Sequence, residues 1–112
     1  MNLDLLLPAL FLTFVAWRFI SFWRVRRRLP ELLGAGAQVV DVRTPGEFAA
    51  EHAPGSRNIP LAELEGRCGE LDPGNSVVLC CASGTRSGMA CRMLRRRGFS
   101  RVFNAGSWRQ LR

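Results

Sequence analysis

One stretch restricts what this chain can fold into more than any other: residues 75–98, NSVVLCCASGTRSGMACRMLRRRG. Val77, Val78, Leu79 and Cys80 form an apolar run, β-branched at its start, after the turn formers Pro73, Gly74 and Asn75. That pattern predicts a buried strand of a parallel sheet. From Ser87 the period changes. Met89, Met93 and Leu94 recur with Ala90 beside them, Arg92, Arg95 and Arg96 fall on another face, and Gly98 supplies a stop. Residues 87–97 therefore read as an amphipathic helix. Between strand and helix lies a thiol followed by small residues and an arginine: Cys81, Ala82, Ser83, Gly84, Thr85, Arg86. A loop entering a helix turns its backbone N–H groups inward, where partial positive charge collects. A cysteine at its head ionises readily, and the thiolate is the form that attacks electrophiles. Cys81 is the candidate nucleophile.

The rest of the chain alternates in the same way. Residues 38–42 read as a strand. Thr44, Pro45 and Glu47 have capping chemistry, with Thr44 as N-cap and Pro45 at the first helical position, for a short helix through about Glu51. Residues 56–59 read as a second short strand, and Pro60 opens a helical stretch through Leu64. Residues 101–104 make a last strand, with the tail beginning at Gly106. Strands alternating with helices predict an α/β domain with a largely parallel sheet.

Three segments carry a family resemblance. Residues 81–87, CASGTRS, resemble the active-site loop of single-domain rhodaneses, which run C-x-S-G-x-R-S. Val39–Phe48, VVDVRTPGEF, resembles the family's first strand and D-V-R-x-x-x-E-F segment; residues 51–60, EHAPGSRNIP, resemble its G-H-I-P-G-A-x-N-I-P segment. The motifs stand in the family's order and cover most of residues 38–104. The resemblance implies a small rhodanese-like domain, with a largely parallel sheet flanked by helices, and a sulfurtransferase activity without cofactor. Cys81 would attack the outer sulfur of a donor such as thiosulfate, hold it as a persulfide and pass it to a thiol or cyanide. A protein thiol is open as the acceptor. Backbone N–H groups of Ala82, Ser83, Gly84, Thr85 and Arg86 would stabilise the anionic sulfur. Arg86 either supplies charge for the donor or pairs with Asp41 or Glu47. Asp41 and Arg43 are expected to support the loop framework. Against the family pattern, the end of the chain is compressed at residues 104–108, and the cover before Gln38 reads as short.

Loop length separates two cysteine chemistries. A cysteine-dependent phosphatase uses C-x5-R, with room for a tetrahedral phosphate forked by arginine. Cys81 to Arg86 is C-x4-R, a tighter cradle suited to one sulfur atom. A phosphatase or arsenate reductase is thus the weaker enzyme alternative, and a non-catalytic rhodanese-like module that docks a partner at the membrane is the other reading. His52 lies in a turn-like segment and is expected to be structural. The four cysteines, 68, 80, 81 and 91, lack zinc-ligand spacing, and one histidine cannot complete a metal site. Adjacent Cys80 and Cys81 would point to opposite sides of a strand, so they are expected to stay unpaired thiols.

Residues 5–23 are apolar apart from Thr13, Arg18 and Ser21. As a helix they would run about 28 Å, close to the roughly 30 Å hydrocarbon core of a bilayer. Arg24, Arg26, Arg27 and Arg28 follow directly, and no cation precedes. The positive-inside rule then places residues 24–112 in the cytoplasm behind an uncleaved single-pass anchor. A signal peptide would carry its charge first and small residues at a cleavage site. The expected division is an anchor with basic flank over 1–28 and a domain over 29–112, with residues 29–37 mostly connector. Sixteen arginines against nine acids give a net charge of +7, yet without residues 1–28 eleven arginines face eight acids. The basicity is therefore concentrated at the N-terminus. The remaining patch at Arg92, Arg95, Arg96, Arg97 and Arg101 reads as a solvated helix face, and no nucleic-acid partner is expected.

Overall fold

An unbroken apolar strand needs cover on both faces, and the fold is built around meeting that need. In a computed structural model, which describes residues 2–112, the elements are α1 (Leu3–Gly34), β1 (Gln38–Asp41), α2 (Pro45–Ala50), β2 (Arg57–Asn58), α3 (Leu61–Arg67), β3 (Val77–Cys81), α4 (Thr85–Arg96) and β4 (Val102–Ser107), with 3-10 turns at Cys68–Glu70 and Trp108–Leu111. The strands lie in the order β2-β1-β3-β4, all parallel. β3 is interior and buried along its whole length.

Side chains alternate across β3 into two separate cores. Val77, Leu79 and Cys81 face Leu64 of α3 and Ala90, Cys91 and Leu94 of α4. Val78 and Cys80 face the other way, onto Leu29, Leu32, Ala105 and Trp108. The second core corrects the expected connector at 29–37. α1 continues without a break through Gly34, accommodating Pro30, and its Leu29 and Leu32 are buried against the sheet. The cover before Gln38 is therefore not short, because this helix supplies it. Every residue from Leu3 to Ile20 of the same helix is exposed, which excludes a buried core helix.

The last strand also outruns expectation, reaching Ser107 instead of ending at 104. Leu79 pairs with Asn104 but Cys80 pairs with Gly106, so Ala105 is an extra residue in the ladder. Such a bulge bends the strand locally. It carries Asn104 and Gly106 against the start of α4 and leaves Trp108 to close the second core.

Candidate active site

Open parallel sheets gather their sites beyond the carboxyl ends of the strands, and Cys81 is the last residue of β3. The turn that follows is set by Gly84, which caps α4 with φ +103. A side chain there would be strained, and its Cβ would stand 3.2 Å from the Cα of Gly106. This close approach folds the loop back over the thiol. The Gly84 N–H donates to Cys81 Sγ at 2.9 Å and the Ser87 N–H at 3.4 Å. The Ser87 hydroxyl lies 3.3 Å from the sulfur.

These contacts decide which way the thiol's pKa moves. Burial alone would push the Cys81 thiol up; the Ser87 hydroxyl and the N–H groups of Ser87, Ser83 and Gly84 outweigh it and leave the thiol below its ordinary value. Cys80, one residue earlier, is pushed up to about 12 by burial and by the charge of Asp41. Burial likewise raises Cys91 to about 11. All four cysteines are free.

Around the thiol the expected residues take distinct places. Ala82, Ser83 and Thr85 are exposed on the loop and Gly84 is buried beneath it. Arg86 pairs with Glu47 of α2, at 2.7 and 3.1 Å, with about a third of its side chain exposed. That contact holds the Glu47 carboxyl at about 2, chiefly through the Arg86 guanidinium and then through the Thr44 backbone N–H. Asp41 and Arg43 are not at the sulfur. The Arg43 guanidinium forks Asp41 at 2.7–3.0 Å, donates to the Glu51 carbonyl and stacks over Trp108 at 4.7 Å. The pair ties the end of β1 to the end of α2 and to the second core. His52 is exposed, stacked on Phe48, with Nδ1 2.8 Å from the Phe48 carbonyl. Among the described residues no three His, Cys, Asp or Glu side chains gather as a metal site.

Two residues of the site were not singled out from the sequence: Ser87, read there as helix start, and Asn104. Asn104 Nδ2 donates to the Gly84 carbonyl at 3.0 Å, which fixes the amide so that Oδ1 accepts from Ser87 Oγ at 2.6 Å and from the Gly106 N–H at 2.9 Å. The Ser87 hydroxyl has one proton and two claimants, Asn104 Oδ1 and the Cys81 sulfur. With a protonated thiol the S–H donates to Ser87 and Ser87 donates to Asn104. Asn104 stands seventeen and twenty residues from Ser87 and Gly84, so no local pattern marks it.

Proteins already known share this fold. The family described as "Rhodanese-like domain" matches residues 26–111. An uncharacterized protein of Bacillus subtilis, YqhL, is 36% identical over 104 residues, covering 89% of this chain and 82% of its own length. The thiosulfate sulfurtransferase PspE of Escherichia coli is 35% identical over 74 residues, covering 64% of this chain and 71% of its own. A solved E. coli rhodanese with anions superposes with a TM-score of 0.63 at 34% identity, covering 67% of this chain and 91% of that one. The chain spans 36% and 62% of the length of two other curated relatives.

Proposed function

The chain belongs to the rhodanese-like domain family, and from that premise we propose that it is a membrane-anchored sulfurtransferase with Cys81 as the sulfur carrier. The observation that carries the reading is the ring of donors on the Cys81 sulfur, set against a neighbouring thiol that has none. The Cys81 thiolate attacks the outer sulfur of thiosulfate; the S–S bond of the donor breaks and sulfite leaves with the electron pair. The product is a Cys81 persulfide, whose terminal sulfur carries the negative charge. The N–H groups already aimed at Sγ lie close enough to share that charge. A thiolate or cyanide then attacks the terminal sulfur, and Cys81 leaves as the thiolate it began as. Cys81 is only 1% exposed, so the recess suits a slim terminal sulfur better than a bulky group. Arg86, held on Glu47 and partly exposed at the end of the loop, is the loop's own cation for an incoming anion. Asp41 and Arg43 act on the framework.

α1 serves in this reading as a retained anchor, with residues 1–28 as membrane contact and basic flank and 29–112 as the domain. The arginines at 24–28 keep the domain on the cytoplasmic side, where thiols stay reduced. The sulfur donor is a small anion and the acceptor a thiol or cyanide. Intact-mass measurement of the chain with and without thiosulfate tests the assignment. The natural chain should gain one sulfur, about 32 Da, and Cys81→Ser none. A folded natural chain that takes up no sulfur would make this a partner-binding module instead.

A further inference from the structure

Between α1 and α4 runs a groove of about 530 Å³ that meets the sulfur site at Asn104 alone. One stripe of α1, including Trp17, Arg18 and Phe22, forms its first wall; one stripe of α4, including Arg92 and Arg95, forms the second; Phe103 of β4 lies in the floor. Gly88, with no side chain, opens the valley on the α4 side. Phe22 reaches across to Gly106, where an added Cβ would lie 2.0 Å from the ring, so this part of α1 is seated on the domain. The charge in the groove has one sign. Three guanidiniums line it, no acidic side chain does, and among the described residues none of the three has a carboxylate within 4 Å. Six other arginines have a carboxylate partner, among them Arg97 of the same helical end with Glu65 and Arg86 with Glu47. The five arginines expected to be one solvated face therefore divide: Arg97 is paired, Arg92 and Arg95 line the groove, and Arg96 and Arg101 lie outside it.

Arg18 and Trp17 stand where the exposed apolar run of α1 meets the domain. A groove at that level, cationic on its walls and aromatic elsewhere, fits a molecule with a phosphate at one end and hydrocarbon at the other. We propose that it binds one anionic phospholipid, its phosphate forked by Arg18, Arg92 and Arg95 and an acyl chain lying along Trp17, Phe22 and Phe103. The inference rests on the reading of α1 as a retained anchor. Free phosphate satisfies the arginines but leaves the aromatic wall bare; a zwitterionic lipid satisfies the wall but brings its own cation to the arginines.

Native mass spectrometry of the full chain, released from nanodiscs of phosphatidylcholine with a minority of phosphatidylglycerol, tests the site. The expected result is one phosphatidylglycerol retained per chain in preference to phosphatidylcholine. Arg92→Gln with Arg95→Gln should lower that retention about tenfold. Arg96→Gln with Arg101→Gln, which removes equal charge outside the groove, should leave it unchanged. Equal retention of the two lipids, retention of none, or equal loss in both double variants would overturn the proposal. Added inorganic phosphate that displaces the lipid would overturn it too, showing an anion site without lipid specificity. The same spectra give the chain mass, which reports whether α1 is retained, and the gain of sulfur after thiosulfate. A chain that loads sulfur without selecting lipid defeats this proposal alone, and one that selects lipid without loading sulfur defeats the sulfurtransferase reading alone.

Discussion

Cys80 and Cys81 are neighbours on one strand, equally buried at 0% and 1% exposure, and their thiols move in opposite directions. The face that holds Cys80 is a closed apolar layer of Leu29, Leu32, Ala105 and Trp108. The face that holds Cys81 runs into the start of α4, where N–H groups and a hydroxyl converge on the sulfur. Burial penalises charge on both sides, and only one side supplies donors that offset it. A reactive thiol in this fold is thus a matter of where the strand ends, not of how deep the cysteine lies.

The largest effect that can break the comparison comes from exchanging the two cysteines' fates. Cys81→Ser should abolish sulfur uptake from thiosulfate, while Cys80→Ala should keep it and cost only core packing, about 1–2 kcal/mol in chemical denaturation. Loss of uptake in Cys80→Ala with an intact fold would mean that the reactive thiol has been assigned to the wrong face.

Next comes the seat of α1 on β4. Gly106 has φ +77 and Phe22 against it, so Gly106→Ala both strains the backbone and displaces the ring. It should cost about 2 kcal/mol and lower the melting temperature by roughly 10 °C. Phe22→Ala in the same chain should restore part of that loss, because it removes the clash but not the strain. No recovery would mean that α1 does not sit on β4.

A smaller effect isolates the donors. Ser87→Ala removes the hydroxyl and keeps the backbone N–H. Sulfur loading at neutral pH should fall about tenfold, the worth of one hydrogen bond to a charged group. The pH at which Cys81 becomes alkylated should move up. An unchanged profile would show that the amides alone set the thiol.

The smallest is at the rim. Glu47 titrates at about 2 instead of its usual 4.5 because Arg86 and the Thr44 backbone favour its charged form. The stabilisation is present above pH 4.5 and is lost as pH falls toward 2. With both side chains about a third exposed, it amounts to about 0.5 kcal/mol. Glu47→Gln should flatten that part of the acid unfolding curve, read by circular dichroism.

The strand-loop-helix unit was legible in the sequence because every signal in it is local: the apolar run, the small-residue loop, the 3.6 period. The parallel sheet followed from the alternation of elements. Three features were not legible. The stripe Val25, Leu29, Leu32 that covers the second face is interleaved with arginines and interrupted by Pro30, so the helix reads as ending sooner than it does. The extension of β4 depends on a bulge at Ala105, which only pairing with β3 defines. Asn104 and Ser87 meet only through the fold, whereas Glu47, 39 residues away, was one of the partners expected for Arg86.

Donors at the end of β3 lower the Cys81 thiol below its ordinary value, while burial keeps Cys80 beside it protonated. Alkylation of the folded chain across pH, resolved by fragmentation to the individual cysteine, measures both at once. Cys81 should react with a midpoint below that of an ordinary free thiol, and Cys80 should stay unmodified throughout the range in which the fold survives. A Cys81 midpoint at or above the ordinary value, or a Cys80 that reacts alongside it, would contradict the account.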